Sequence, residues 1–422
     1  MTDPTGSRTA RLTAAGTTGA GSRVWVVVGL ALGPAVVLGF ARFAYALLLP
    51  SMRAELHWSL GTAGAMNSAN ALGYLAGALA TAGLARRVGA RRSFVAGLGV
   101  TVVALLATAA IANTPVLLAL RALVGASGAV TFIAGAGLVA GVATSESAHR
   151  SAMLLGIYFA GGGAGIVVSG LSVPALLAAT ASSTGWRWGW VLLAGIGAVA
   201  LTPAWLAARA SGEPAAPPSA DRRWPARSFV ALLGSYALFG AGYIAYMTFI
   251  VAYLRSGGAG TGEITAFWAV LGAASILGAF AWVRPIAKLR GGRGTGVVLA
   301  AVAAGAILPL ASRSAPVAMI SAVLFGGSFL AVVTSVTTVA RRSLRPHHWT
   351  PAIATLTVAF AAGQCIGPVL TGVLSEAPAG LRIGLGVSAG MLVASALAAL
   401  AQRHLGDRPS AIDTVPDVST VE

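Results

Sequence analysis

Apolar runs of about twenty residues, each long enough to cross a bilayer as a helix, follow one another along the chain with short polar breaks between them. Twelve are predicted, at 24–50, 59–84, 93–112, 116–142, 151–176, 188–209, 228–254, 263–284, 294–312, 316–340, 352–374 and 381–402. The break after the sixth run differs from the others. It reads SGEPAAPPSADRRWPAR, rich in proline and charge, as befits a flexible loop. The pattern therefore predicts an all-α polytopic membrane protein built as two pseudo-symmetric six-helix bundles. Its expected parts are a disordered N-terminus (1–23), a first bundle (24–209), a central loop (210–227), a second bundle (228–402) and a disordered tail (403–422).

Composition removes the alternative of a soluble core. The 422 residues are 57% hydrophobic and 9% charged, where soluble domains carry about 25% charged residues. The 55 glycines suit helices that approach closely in lipid. A net charge of +17 could signal nucleic acid, but the arginines are spread over short loops and form no basic domain, so no nucleic-acid partner is expected. The single cysteine, Cys365, permits neither an intrachain disulfide nor a thiol metal site. No metal and no cofactor are expected. Residues 1–23 lack the apolar core of a cleavable signal peptide, and the first run can itself direct insertion.

Basic residues set the expected orientation. With the N-terminus inside, 21 of the 28 lysines and arginines fall in inner segments. Only Arg53, Arg187, Arg255, Arg313 and Arg382 fall in outer loops, and Arg42 and Arg121 fall within spans. Both termini are thus expected in the cytoplasm, and the protein in the cytoplasmic (cell inner) membrane, a monomer in the lipid bilayer. Trp25, Trp205, Trp224, Trp282 and Trp349 lie near inner span ends, and Trp58, Trp186, Trp188 and Trp190 near outer ends. Tryptophans so placed form interfacial belts.

The two halves also resemble each other at an offset of 201–202 residues. Gly39-x-x-Arg42-x-Ala44-Tyr45 matches Gly240-x-x-Tyr243-x-Ala245-Tyr246. Gly125-Ala-Ser127 matches Gly326-Gly-Ser328. Gly161, Gly165 and Gly170 match Gly363, Gly367 and Gly372. The inner loops match through Leu84, Ala85, Gly89 and Arg91 against Ile286, Ala287, Gly291 and Arg293. Parallel repeats of this kind build transporters whose site lies between the halves.

Twelve spans, a long central loop and this repeat resemble the major facilitator superfamily (MFS) over about residues 24–402. The loop LARRVGARR is similar to that family's signature between spans two and three, through Leu84, Ala85, Arg87, Gly89 and Arg91. The resemblance implies a gating role for this loop. Arg86 stands where the family has an acidic residue, and Ala82 where it has the opening glycine, which weakens the ionic latch. RALVGASGA resembles the span-four motif through Arg121 and Gly125. The span-five antiporter motif is incomplete: its Gly-Pro is Gly165-Ile166 here, and a Gly-Pro occurs in span eleven as Gly367-Pro368. GFARFAYALLLPSM and NSANALGYLAGAL further resemble the YbfB/YjiJ-type subgroup.

Arg42 and Arg121 stand out because a charge in hydrocarbon costs at least about 2.5–3.5 kcal/mol by insertion scales. Arg42 lies eight residues before Pro50, about 12 Å below the outer end, and Arg121 about 8 Å below the same surface. In the family fold helices one and four line the central cavity. All eleven acidic residues lie in loops, span ends or tails, and only Glu55 and Glu263 are placed to reach down. Arginine's planar fork suits carboxylate or phosphate, so an anionic or zwitterionic substrate is expected. The alternative is snorkelling to headgroups or capping of helix ends.

A second clue lies in span seven, where Tyr236, Phe239, Tyr243, Tyr246, Ile250 and Tyr253 share one helix face. Buried phenols seek partners, so this face is expected to look at a wet cavity; the alternative is packing, with Tyr253 at the interface. Asn67, Asn70 and Tyr74 give span two a polar face, which either lines the cavity or bonds to neighbouring helices. The candidate substrate contacts are Arg42, Tyr45, Asn70, Arg121, Tyr158, Tyr243, Tyr246 and Gln364. Gly73, Gly77, Gly161, Gly165, Gly363 and Gly367 are read as close-packing positions, and Pro368 after Gly367 as a kink. The GGGAG run is mid-span and is no phosphate loop. His347-His348 lacks partners for a metal.

A secondary transporter working by alternating access, on a small-molecule substrate with protons or a counter-solute as coupling partner, is the leading expectation. Export of amphiphilic drugs or metabolites is the alternative. A membrane-embedded enzyme is disfavoured because the spans hold no Asp, Glu or His to do acid–base or metal chemistry. A transporter-like sensor would usually need a signalling domain.

Overall fold

The structure is a computed structural model that describes residues 20–144, 146–180, 182, 184–213, 224–377 and 380–403. Of the expected disordered N-terminus (1–23) and tail (403–422), residues 1–19 and 404–422 lie outside the described residues, as does the middle of the central loop, and residues 20–23 are helical.

Among the described residues the chain is helical, with twelve long helices. Helix α1 runs as Ala20–Pro34, a π-helical stretch Ala35–Phe43, and Tyr45–Leu56. It is followed by α2 (Leu60–Val88), α3 (Ala90–Ala110), α4 (Thr114–Val142), α5 (Ala148–Thr180) and α6 (Gly185–Ala210). The second half holds α7 (Val230–Ser256), α8 (Thr261–Ala281, continued by Val283–Lys288), α9 (Arg293–Ala311), α10 (Ala315–Ser343), α11 (Pro346–Leu374) and α12 (Gly380–Leu400).

Several helices overrun their apolar runs. α1 passes Pro50 to reach Leu56, and α2 reaches Val88. Apolar length marks only the hydrocarbon portion, whereas the backbone keeps its ladder until a cap ends it. Ser59 opens α2 by accepting from Thr62 N–H, and Asn113 opens α4 by accepting from Val116 N–H. His57, at φ 51°, closes α1 and Gly89, at φ 90°, closes α2.

Eleven of the twelve helices are long and apolar enough to span a bilayer. The exception is α2, which is as long as α4 but carries Asn67, Ser68 and Asn70, all buried. It packs against α4 and, across the molecule, against α11. Its polar groups therefore meet protein, not lipid, and low hydropathy costs it nothing.

The packing repeats between halves. In the first, α1 contacts α5 and α6, α4 contacts α2 and α3, and α3 contacts α6. In the second, α7 contacts α11 and α12, α10 contacts α8 and α9, and α9 contacts α12. The halves meet through α2 with α11, α5 with α8, and α1 with α7. Glycines set the spacing. Gly73 and Gly77 lie against Ala122 and Ala126 of α4, Gly161 and Gly165 against Ala31 and Ala35, and Gly363 and Gly367 against Ala237 and Ala241. Those contacts lie within one half. Gly64 against Pro368 and Gly372 against Leu60 join the two.

The tryptophans correct one expectation. Trp25 and Trp188 are exposed, as interfacial rings should be, but Trp186 and Trp190 are fully buried. Trp186 donates its indole N–H to Glu55, and Trp190 lies under Arg121. Helical periodicity turns both inward, where the Trp186 N–H has a partner and the Trp190 N–H has none.

Candidate functional site

Pro34 has no N–H to give the preceding turn, and the π-helical stretch of α1 starts directly after it. Ala44 N–H donates to the Gly39 carbonyl at 3.0 Å, five residues back. Such π turns are frequent at functional sites, and this one carries Arg42. α1 continues to Leu56, about 20 Å from Arg42 at 1.5 Å per residue, but the added turns lie beyond the apolar run.

The two intramembrane arginines are both buried but differ in company. Arg121 is 2% exposed. Its Nη1 donates to the Ala41 carbonyl at 2.5 Å and its Nη2 to Asn67 Oδ1 at 2.9 Å, while its Nε is buried without a partner. It also lies over the Tyr45 ring at 4.8 Å. Asn67 in turn donates to Thr248 Oγ1 at 2.6 Å, so a polar chain runs from α4 through α2 to α7. Arg42 is 4% exposed and lies over the Tyr74 ring at 5.3 Å. Its Nε and Nη2 are buried with no hydrogen-bond partner.

Facing Arg42 from the second half is a panel of near-parallel rings. Tyr236 stacks on Phe360 at 4.6 Å, and Phe239 on Tyr243 at 4.8 Å. Tyr243 continues to Phe360 and Phe329, Phe329 to Phe325, and Phe325 to Tyr246 at 4.2 Å. Phe43, next to Arg42, meets Phe329 edge-on at 5.8 Å. Gln364 donates through Nε2 to the Tyr243 hydroxyl at 2.6 Å, leaving its Oε1 buried and unpartnered. Arg42 is within electrostatic reach of Tyr243 and Cys365.

Arg42, Tyr243 and Gln364 are thus brought together where the halves meet. The other candidate side chains spend their polar groups on neighbours. Tyr45 donates to the Ala63 carbonyl, Asn70 to the Arg121 carbonyl, and Tyr158 to the Phe132 carbonyl. The Tyr246 hydroxyl pairs with Ser321 at 2.8 Å. Glu55 is held by Arg187 at 2.9 Å and by Trp186, so it is committed to α6 and does not reach either arginine. Sequence reasoning missed Phe325, Phe329 and Phe360. The spacing of Phe325 to Phe329, and of Phe360 to Gln364, places each pair on one helix face, a signal that was present but unremarkable in an apolar chain.

The repeat is also less regular than its sequence. Gly161 and Gly363 are matched positions, yet the alanines they meet on α1 and α7 are five residues, more than one turn, out of step with the match of those two helices. Matched positions on α1 and α7 therefore do not face matched neighbours.

At the arginine-rich face, Arg91 of the 84–92 loop donates Nε to Glu213 at 3.1 Å, and Glu213 also accepts from the Ala90 N–H at 2.9 Å. Arg87 is exposed there. Glu146 pairs with Arg23 at 2.5 Å and with Arg150 at 3.4 Å. At the opposite face a groove between the ends of α1 and α7 is lined by Leu49, Arg53, His57, Ala252 and Arg255. Arg255 Nε is buried there without a partner. Beside it, Glu376 of the second half accepts from the Gly61 N–H of α2 at 2.9 Å. That bond, with help from the Ser59 hydroxyl and the Arg53 charge, lowers the Glu376 pKa. Among the described residues no group of three His, Cys, Asp or Glu could hold a metal ion.

A family model described as an uncharacterised MFS-type transporter, YbfB, matches residues 34–400. No curated protein is similar enough in sequence to match. Among solved structures, the nucleoside transporter NupG, crystallised as a point mutant, aligns with a TM-score of 0.68 at 13% identity, covering 89% of this chain and 99% of that one. A bacterial homologue of the human lysosomal transporter Spinster, inward-facing and unoccupied, gives 0.69 at 18% identity over 90% of this chain and 97% of that one. Its inward-facing, occupied form gives 0.70 at 18% identity over 90% and 96%. At such identities the likeness is one of fold.

Proposed function

The chain belongs to the family of MFS-type transporters described as YbfB, and on that premise we propose that it is a secondary, gradient-driven carrier of a small anionic or zwitterionic organic solute. It works by alternating access, the halves rocking about a site between them. The observation that carries the reading is Arg42. A guanidinium deep in a membrane protein normally finds partners, as Arg121 does. Arg42 keeps two donors free at the meeting of the halves, and an anion bound there would supply the missing charge.

The arginine-rich face is cytoplasmic in this reading, by the positive-inside rule. The groove bearing Arg53 and Arg255 then faces outward and attracts anions. His57 in that groove is a candidate coupling group; protons or a counter-solute supply the drive. The nucleoside for which NupG is named is neutral and would leave Arg42 uncompensated, so that substrate is not carried over. The ring panel favours a second reading, export of amphiphilic drugs or metabolites.

The test is uptake of radiolabelled organic anions, zwitterions, cations and neutral solutes into proteoliposomes under imposed gradients. Saturable uptake of an anion or zwitterion, abolished in Arg42→Gln and retained in Tyr158→Phe, is expected. Transport of cations or neutral amphiphiles alone, unchanged in Arg42→Gln, refutes the reading and favours export.

A further inference from the structure

The free groups around Arg42 define more than a charge. Nε and Nη2 lie on one edge of the guanidinium, the edge that donates two parallel hydrogen bonds to the two oxygens of a carboxylate. Both are the donors left without partners. From the second half comes a further unpartnered atom, Gln364 Oε1, anchored by the bond from its amide nitrogen to Tyr243. Between these two polar ends the surface is aromatic. Tyr236, Phe239, Tyr243 and Phe360 stack on one another with interplanar angles of 4° to 19°; the first three are buried and Phe360 is only partly so. Tyr74 under Arg42 and Phe360 beside Tyr243 are only partly buried, so a flat group can reach both rings.

We propose that the solute is an aromatic carboxylate, its carboxylate clamped by the Nε and Nη2 edge of Arg42 and its ring laid on Phe360, the accessible member of the Tyr236–Phe239–Tyr243–Phe360 stack. A hydroxyl on the ring pairs with the free end of Gln364. The arrangement divides recognition between the halves. The first half supplies charge and the second supplies ring faces, so a bound aromatic carboxylate ties the two together as the carrier turns over. An aliphatic anion would satisfy Arg42 but forgo the offset-stacking gain of ring on ring. A neutral aromatic would stack but leave the charge exposed. This inference rests on the anion reading above and narrows it.

The test is calorimetric binding to the purified full-length protein with 4-hydroxybenzoate, benzoate, cyclohexanecarboxylate and phenol, each against wild type, Arg42→Gln, Phe360→Leu and Gln364→Leu. Benzoate is expected to bind about two- to tenfold more tightly than cyclohexanecarboxylate, the size of a stacking preference. Phe360→Leu should erase that ratio without weakening cyclohexanecarboxylate. The 4-hydroxyl should add affinity that Gln364→Leu removes. Phenol should not bind, and Arg42→Gln should abolish binding of all three acids. Equal affinity for benzoate and cyclohexanecarboxylate, both lost in Arg42→Gln, overturns the aromatic inference and leaves the anion reading standing. Phenol binding that survives Arg42→Gln overturns both. No binding by either benzoate in a wild-type sample of intact fold also overturns the inference.

Discussion

Gly64 offers the sharpest separation of a contact that holds the fold from one that holds a state. A methyl group added there would sit 2.6 Å from the Pro368 carbonyl carbon and 3.0 Å from the Val369 nitrogen. Ordinary contact begins near 3.4 Å, and the opposed atoms are backbone, so α2 and α11 must separate by about 1 Å. Overpacking of this kind costs about 1–3 kcal/mol. Gly64 is on the first half and Pro368 on the second, so under alternating access the cost falls only on the form closed at this face. The closed-to-open ratio should drop by about 5- to 150-fold. Gly73→Ala provides the control. Its methyl meets Ala122 of α4 in the same half, a contact present in every state, so it should lower stability and leave the ratio alone. The assay is the distance between spin labels on Ala112→Cys and Ala377→Cys, at the same face of opposite halves, with the single native Cys365 replaced by serine. Gly64→Ala should populate a longer distance that wild type and Gly73→Ala lack. An unchanged distribution in Gly64→Ala, with a melting loss equal to that of Gly73→Ala, refutes the assignment of this contact as a seal.

Other outcomes follow from the same geometry. Arg42→Gln removes a buried charge that has no partner and should raise the Tm of the ligand-free protein while transport is lost; a lower Tm would mean that Arg42 has a structural bond. Arg121→Gln should do the reverse, because it deletes two charge-assisted bonds worth about 1.5–3 kcal/mol each; an unchanged Tm would refute that role. The Glu376 carboxylate, whose pKa the Gly61 N–H lowers in the closed form, stabilises that form fully above the ordinary carboxylate pKa. The stabilisation is lost as pH falls through the lowered value, so the long spin-label distance should grow in acid. Glu376→Gln should show it at every pH, and pH-independent distances in wild type would refute the latch. Glu213→Ala should free Arg91 and the start of α3, measured as faster hydrogen exchange at Ala90 and Arg91; unaltered exchange would show that another group caps that helix.

The sequence by itself determined the spans, the two halves and the presence of charge in the membrane. Those follow from composition and length, because hydrocarbon accepts only helices that satisfy their own backbone. The repeat was legible in glycines such as Gly161 and Gly363, since only glycine lets backbones approach so closely. What the sequence left open was whether Arg42 or Arg121 is the free cation. Both are arginines in apolar runs, Arg121 in the span-four motif and nearer the outer surface, but neither feature says which guanidinium finds hydrogen-bond partners. Tertiary structure decided it by bringing the Ala41 carbonyl and Asn67 to Arg121 while giving Arg42 only a ring face. The same holds for Tyr243, Tyr246 and Tyr158, alike in sequence and separated only by which neighbour takes the hydroxyl. Polar satisfaction depends on groups brought from distant helices, and the hydrophobic pattern, which encodes only lipid against water, carries no record of them.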